Sequence, residues 1–335
     1  MSLPEIKYCP CTLAERFVSY SPTGLRKMFY GKSVNHVLTM PSPQKDEKTL
    51  DEFLENMKRI SLSGFQTKNS MVMEKNVLRL THEAEQGTHI LKPIPSKLLK
   101  KSNEVPANEH LTMQIANQVY GINTADNAMI FFSDGEPAFI TRRFDLKNEK
   151  EKSKWGQEDF ASLAGKTTLN SNEKYEFSYE ELGLLIQKYV PAWQVEIEKY
   201  FSVVVFNYLF SNGDAHLKNF SLLESSTGDY LLSPMYDLLN TRMHVSDTDF
   251  ALEKGLLADN FKSPQFKKSG HAGREDFIEF GKRIGVVAGR LEKLLSPFLE
   301  KQNMVETLTE RSFLSMASKR GYLLLYNSKR NFLTA

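Results

Sequence analysis

Cysteine is nearly absent. Cys9 and Cys11 are the two in 335 residues, which excludes a disulfide framework and points to a reducing compartment. Cys9-Pro10-Cys11 is too tight for an ordinary zinc knuckle, so two free thiols are expected. The seven histidines are scattered, and no H-E-x-x-H or Cys/His quartet marks a zinc site. No apolar run reaches about 18 residues, so no segment is expected to span a membrane. The first residues lack a basic stretch followed by an apolar one, so no signal peptide is expected. Charge of one sign is missing too. With 43 Lys plus Arg against 41 Asp plus Glu, the net charge is +2, and no whole-molecule field draws in nucleic acid or lipid. Two P-loop lookalikes, Gly31-Lys32-Ser33 and Gly165-Lys166-Thr167, have Arg26 and Phe160 where the first glycine of that loop belongs, so neither is a Walker A.

What is present is core-forming material, 41% hydrophobic and 11% aromatic. At about 150 residues per domain the length suggests two units. Residues 1–60 read as a mixed leader packing on the strand-rich part of the chain, with turn chemistry at Tyr20-Ser21-Pro22-Thr23-Gly24, an exposed connector over 41–48 and a helix at 49–58. Residues 61–150 read as strand-rich, with strands at 72–80 and 88–94. A helix is expected at 107–120, ending before Gly121. A hairpin is expected over 128–144 around Asp134-Gly135. Residues 151–335 read as helical, with helices at 179–190 and 195–210, the second apolar nearly all round. Two short strands, 220–223 and 230–232, interrupt them, and a helical tail runs from 276 to about 325 with a break or kink at Pro297. Strands followed by helices predict two lobes with a cleft between them. The stretch 301–335 has six basic and two acidic residues, which reads as a solvated helix face or a surface for an acidic partner.

The densest polar cluster is Ser211-Asn212-Gly213-Asp214-Ala215-His216-Leu217-Lys218-Asn219-Phe220. It follows the apolar helix and precedes a strand, so both ends of the loop are pinned. Asp214 and Asn219 have the Asp-x-x-x-x-Asn spacing of protein-kinase catalytic loops. There the Asp accepts the proton of the attacking hydroxyl and the Asn holds Mg²⁺. Asp237, after the second short strand, supplies a further hard oxygen donor. Taken singly, each is equally a packed or capping residue; the combination points to phosphoryl transfer. His216 either orients Asp214 or packs in the loop. Lys218 either neutralises the transferred phosphoryl group or pairs with Asp214. Lys92, on the strand at 88–94, suits the α/β-phosphates of ATP. The turn at 61–68, with Gly64 as its single glycine, could offer backbone N–H groups to phosphate. Ser61 and Ser63 within it are candidate phosphorylation sites, since added negative charge there would repel ATP.

These residues resemble the HipA family of bacterial serine/threonine kinases. Asp214-x-His216-x-Lys218-Asn219-Phe220-Ser221 and Tyr236-Asp237 are similar to its catalytic and metal motifs. Ser61-Leu62-Ser63-Gly64-x-Gln66-x-Lys68 is similar to its phosphate-binding and autophosphorylation loop, and Thr88-His89-Ile90-Leu91-Lys92 to its ATP-lysine strand. Asn108-Glu109 and Arg143-Phe144-Asp145 match recurring positions, the latter where the hinge to the adenine pocket would run. The resemblance covers about 55–325. With only about 60 residues before the serine loop, the chain is most similar to the short HipT type of three-gene HipBST systems. The resemblance implies an α+β, two-lobed protein-kinase-like fold with ATP and Mg²⁺ as cofactors. It implies a cytoplasmic toxin of a type II toxin–antitoxin system. Its substrate would be an aminoacyl-tRNA synthetase, tryptophanyl-tRNA synthetase by analogy with HipT. Its partners would be a HipS-like small antitoxin and a HipB-like DNA-binding antitoxin, which supplies the only DNA contact. The alternatives are a HipA-like regulatory module without turnover and a small-molecule kinase.

Overall fold

The stretch expected as one strand at 72–80 is part of a hairpin. Strand β1 (Asn69–Glu74) pairs antiparallel with β2 (Val77–Leu80), from Met71 opposite Leu80 to Glu74 opposite Val77. Lys75 turns the chain with φ 53°. A two-residue reversal with one residue in the left-handed region matches the twist of the strands, and residue type alone does not separate such a hairpin from one long strand. The computed structural model describes residues 5–45, 47–57, 68–95, 99–147, 153–166 and 172–335. Its described part divides into two compact units that interleave along the chain: Met1–Gln114, Ala125–Lys154 and Thr307–Lys319 form the first, Ile115–Thr124, Trp155–Glu306 and Arg320–Ala335 the second.

The first unit opens with α1 (Pro22–Phe29), where only turn chemistry was expected. Ser21 is its N-cap, accepting a hydrogen bond from Gly24 N at 3.1 Å, and Pro22 stands at the first helical position, where its missing N–H costs nothing. Helix α2 (Glu47–Met57) follows. The sheet is completed by β3 (His89–Pro93), β4 (Asn127–Phe131) and β5 (Pro137–Arg142), in the antiparallel order β2-β1-β3-β5-β4. The β4–β5 turn contains Gly135 with φ 90°, as the Asp-Gly signal requires. Cys9, Cys11, Tyr20, Met28 and Phe29 pack with Met71, Leu91, Ile130 and Ile140 in one apolar core, so the N-terminal residues cover the sheet. Both thiols are free and buried. Helix α3 (Val105–Gln118) gives its first ten residues to this unit and its last four to the other.

In the second unit β6 (Gln157–Asp159), which the sequence did not signal, joins β7 (Ser221–Glu224) and β8 (Tyr230–Leu232) in a small antiparallel sheet. Around it lie α4 (Phe160–Leu163), α5 (Tyr179–Tyr189) and α6 (Trp193–Leu209). Helix α6 buries Phe201, Val203, Val204, Val205, Phe206, Tyr208 and Leu209, which explains its lack of a polar face. The C-terminal region is five helices: α7 (Pro264–Ser269), α8 (Arg274–Arg283), α9 (Ala288–Leu299), α10 (Asn303–Arg311) and α11 (Met316–Thr334). Of the break or kink expected at Pro297, a break is not found: Pro297 lies inside α9, and Gly285, with φ 84°, separates α8 from α9. Among the described residues no helix is long and apolar enough to cross a membrane.

Candidate active site

In the first unit, β3 carries Lys92 opposite Phe139 of β5. The Lys92 ammonium lies 5.3 Å from the Phe139 ring centroid and 2.5 Å from Glu109 Oε1 of α3. The two charged side chains are only 4% and 1% exposed. A buried ion pair of this kind fixes a strand lysine against a helix carboxylate, the Lys–Glu arrangement that kinases use to present the lysine to ATP. Sequence reading singled out Lys92 and noted Glu109 without giving it a role. The available signal was an acid on a helix 17 residues after a strand lysine. Arg143, just past β5, donates from its backbone N to Thr88 O at 3.0 Å. Its guanidinium is bidentate on Asp145, at 2.9 and 2.5 Å, so the segment carrying Phe144 is fixed by its own side chains. Lys68 immediately precedes β1. Ser61, Ser63, Gly64 and Gln66 lie outside the described residues.

In the second unit the loop after α6 carries Asp214, His216, Lys218 and Asn219, and Asn219 meets Asp237 from the segment after β8. Ser211 turns the chain with φ 53°, and Gly213 N donates to Thr241 Oγ1 at 2.8 Å. A Cβ on Gly213 would meet an Asp247 carboxylate oxygen at 2.3 Å and the Thr248 backbone carbonyl at 2.8 Å, so any side chain there forces the neighbouring backbone to shift. Backbone bonds then fold the loop tightly: His216 N donates to Asp214 O at 2.8 Å, and Asn219 N to His216 O at 2.9 Å. Tyr179 of α5 donates its hydroxyl to Ala215 O at 2.9 Å. The Tyr236 hydroxyl donates to Lys218 O at 2.9 Å. Asn219 Oδ1 accepts from His216 N at 3.1 Å, while its Nδ2 donates to Asp237 Oδ2 at 3.3 Å. Asp237 holds a left-handed backbone, φ 57°, a conformation Asp tolerates better than most residues and one that clusters at functional positions.

The Asp214 carboxylate accepts the Tyr175 hydroxyl at 2.7 Å. Burial pushes Asp214 above the usual carboxylate range. The Tyr175 hydroxyl and Lys174 pull it down, and Asp237 and Asp247 push it further up. A desolvated carboxylate held by a single hydroxyl is suited to taking up a proton. The His216 ring does not bridge to that carboxylate but packs edge-on against Tyr175, centroids 5.3 Å apart. Tyr175 has no sequence signal; its place depends on tertiary contact across 39 residues. No group of three or more His, Cys, Asp or Glu side chains suited to a metal occurs among the described residues. The oxygens beside the loop are instead the Asp237 carboxylate, which accepts from the Asn219 amide nitrogen, and the Asn219 amide oxygen, which accepts from His216 N. That hard-oxygen pair fits Mg²⁺, which takes one or two carboxylates and fills its remaining positions with phosphate and water.

The family described as HipA-like C-terminal domain matches residues 60–309. A Haemophilus influenzae protein named "Putative kinase" is 26% identical over 333 residues, covering 94% of this chain and 92% of its own. A solved complex of Shewanella oneidensis HipA with HipB and operator DNA contains a chain similar to this one at TM-score 0.56 and 19% identity. The match covers 81% of this chain and 63% of that one. The Helicobacter pylori proinflammatory kinase CtkA is similar at TM-score 0.51 and 14% identity, over 77% of this chain and 90% of its own. At these identities the two structures establish the fold, a protein-kinase-like α+β architecture.

Proposed function

Since the chain belongs to the family of the HipA-like C-terminal domain, we propose that it is an ATP-dependent serine/threonine protein kinase. The observation that carries this reading is the loop that holds Asp214 five residues before Asn219, with Asn219 against Asp237 at 3.3 Å. In the reaction, an acceptor hydroxyl oxygen bonds to the γ-phosphorus of ATP as the bond to the ADP oxygen breaks. Asp214 accepts the hydroxyl proton. Asn219 and Asp237 hold Mg²⁺, which when bound neutralises phosphate charge. Lys92, set by Glu109, meets the α/β-phosphates, and Lys218 balances charge on the moving phosphoryl group. Arg143 and Phe144 supply the adenine side. The serine loop, with Gly64, Gln66 and Lys68, covers the phosphates. Transfer from γ-labelled ATP tests the assignment: Asp214→Ala is expected to reduce it to a small residual rate with nucleotide affinity retained, and Asp237→Asn to weaken Mg-nucleotide binding. Full transfer by Asp214→Ala would overturn it.

The finer reading is a cytoplasmic toxin of the HipT type, acting on an aminoacyl-tRNA synthetase, with tryptophanyl-tRNA synthetase first by analogy. A HipB-like and a HipS-like partner would restrain it, and Ser61 or Ser63 would be autophosphorylated. The sequence resemblance and the likeness to a HipA solved with HipB and DNA support this reading. Phosphoproteomics after brief induction tests the target: one dominant phosphorylated synthetase is expected. Intact mass after incubation with Mg-ATP tests the serines, and an equal gain in Ser61→Ala/Ser63→Ala would exclude them. A HipA-like kinase acting outside a toxin–antitoxin pair is the second reading, favoured by the likeness to CtkA. Growth unaffected by induction, together with intact phosphotransfer, would select it.

A further inference from the structure

Tyr175 is placed with more care than a packing residue needs. It ends a 3-10 turn (Glu173–Tyr175), with Tyr175 N donating to Asn172 O at 2.9 Å. Its carbonyl accepts from Glu253 N and Phe177 N, both at 2.8 Å. Its ring is flanked by His216 at 5.3 Å and by the Lys174 ammonium at 4.9 Å. Backbone and ring thus fix the direction of the hydroxyl, which points at Asp214 Oδ1, 2.7 Å away. Among the described residues it is the one hydrogen-bond donor to that carboxylate. Burial and the facing carboxylate hold the phenol protonated, so it stays a donor wherever the enzyme works.

We infer that Tyr175 is the positioning residue of the phosphotransfer reaction. It holds one oxygen of Asp214 so that the other is presented to the acceptor hydroxyl. The inference rests on the kinase reading of the same site. A carboxylate on a short side chain rotates about its last bond, and one anchored oxygen removes that freedom before the acceptor arrives. The energetic logic is pre-organisation: orientation set in the free enzyme is not charged to the transition state. His216 then has a role at one remove, as the wall against which the Tyr175 ring stands.

The test uses the full chain and Tyr175→Phe, which keeps the ring and its neighbours and removes only the hydroxyl. Expected are a kcat lowered about 10- to 100-fold, an unchanged affinity for Mg-ATP and an unchanged melting temperature. A double-mutant cycle separates positioning from a general structural role. In an Asp214→Asn background, single-turnover phosphotransfer should not fall further when Tyr175→Phe is added, because the group being positioned is already disabled. Wild-type kcat in Tyr175→Phe, an effect confined to KM, or an equal loss in both backgrounds would overturn the inference. If the wild-type chain itself gave no Asp214-dependent transfer, the kinase reading would fail first and take this one with it. The two failures are therefore distinguishable.

Discussion

Lys92 and Glu109 show what one residue can cost when its partner is removed. Each is shielded from water, and the ammonium donates to Glu109 Oε1 at 2.5 Å. Replacing Lys92 with Met removes the ammonium that faces the buried Glu109 carboxylate, a loss of about 3–5 kcal/mol. Urea unfolding should show this loss in Lys92→Met and recovery of most of it in Lys92→Met/Glu109→Gln, while phosphotransfer stays absent in both. His110, one residue further along α3, gives a pH signature. Burial lowers it from 6.5 to about 4, against a smaller opposing contribution from the hydrogen bond to the Cys11 carbonyl. Below 6.5 the unfolded chain takes up a proton that the folded chain refuses. The stabilising contribution is therefore complete above 6.5 and is lost as the pH falls to about 4, by ~3 kcal/mol. Melting temperatures across that window should fall less steeply in His110→Gln, which cannot charge. An identical slope would remove His110 as the source.

Elements differ in how openly the sequence declares them. Helices α3, α5 and α6 and the β4–β5 hairpin were legible because their apolar spacing or their Asp-Gly turn is local. Helix α1 was read as a turn although Ser21-Pro22 is also a helix-start signal, since eight residues give too short a period to see. Strand β6 has three residues and no apolar face, and it exists because β7 supplies its partner edge. The candidate site divides the same way. Asp214, Asn219 and Asp237 stand out as candidates by spacing, whereas the contacts of Glu109 and Tyr175 could not be read, because they join distant elements. The start of α5 carries an element-scale prediction. Ser178 is fully buried, accepts from Glu181 N at 3.1 Å and donates from its backbone N to Glu181 Oε2 at 2.8 Å. This capping box sits one residue before Tyr179, which holds the backbone of the loop after α6 at Ala215. Ser178→Ala should lower stability by about 1 kcal/mol in denaturant titration, and Ser178→Thr by little.

At the scale of the whole molecule, the first unit is closed by residues from near the C-terminus. Arg311 pairs with Glu15. Ser315 donates to Glu104 at 2.8 Å, and Lys101 to Ser318 at 2.9 Å. The Phe313 ring lies 6.2 Å from His110 and 5.7 Å from Phe131. Deleting everything from residue 307 onward should therefore raise amide hydrogen exchange in α3 and β4, although neither element is itself touched. Unchanged protection there would show that the C-terminal segment adds nothing to the first unit. The same interleaving puts a clock on synthesis. Residues 155–306 must all be translated before Thr307–Lys319 can complete a unit begun at the N-terminus. At about 5–20 residues per second that is a wait of roughly 8–30 s. A nascent chain that already carries Lys92, Glu109 and the complete five-stranded sheet thus leaves the ribosome with its first unit still missing a piece, exposed to chaperones and proteases until Thr307–Lys319 is made.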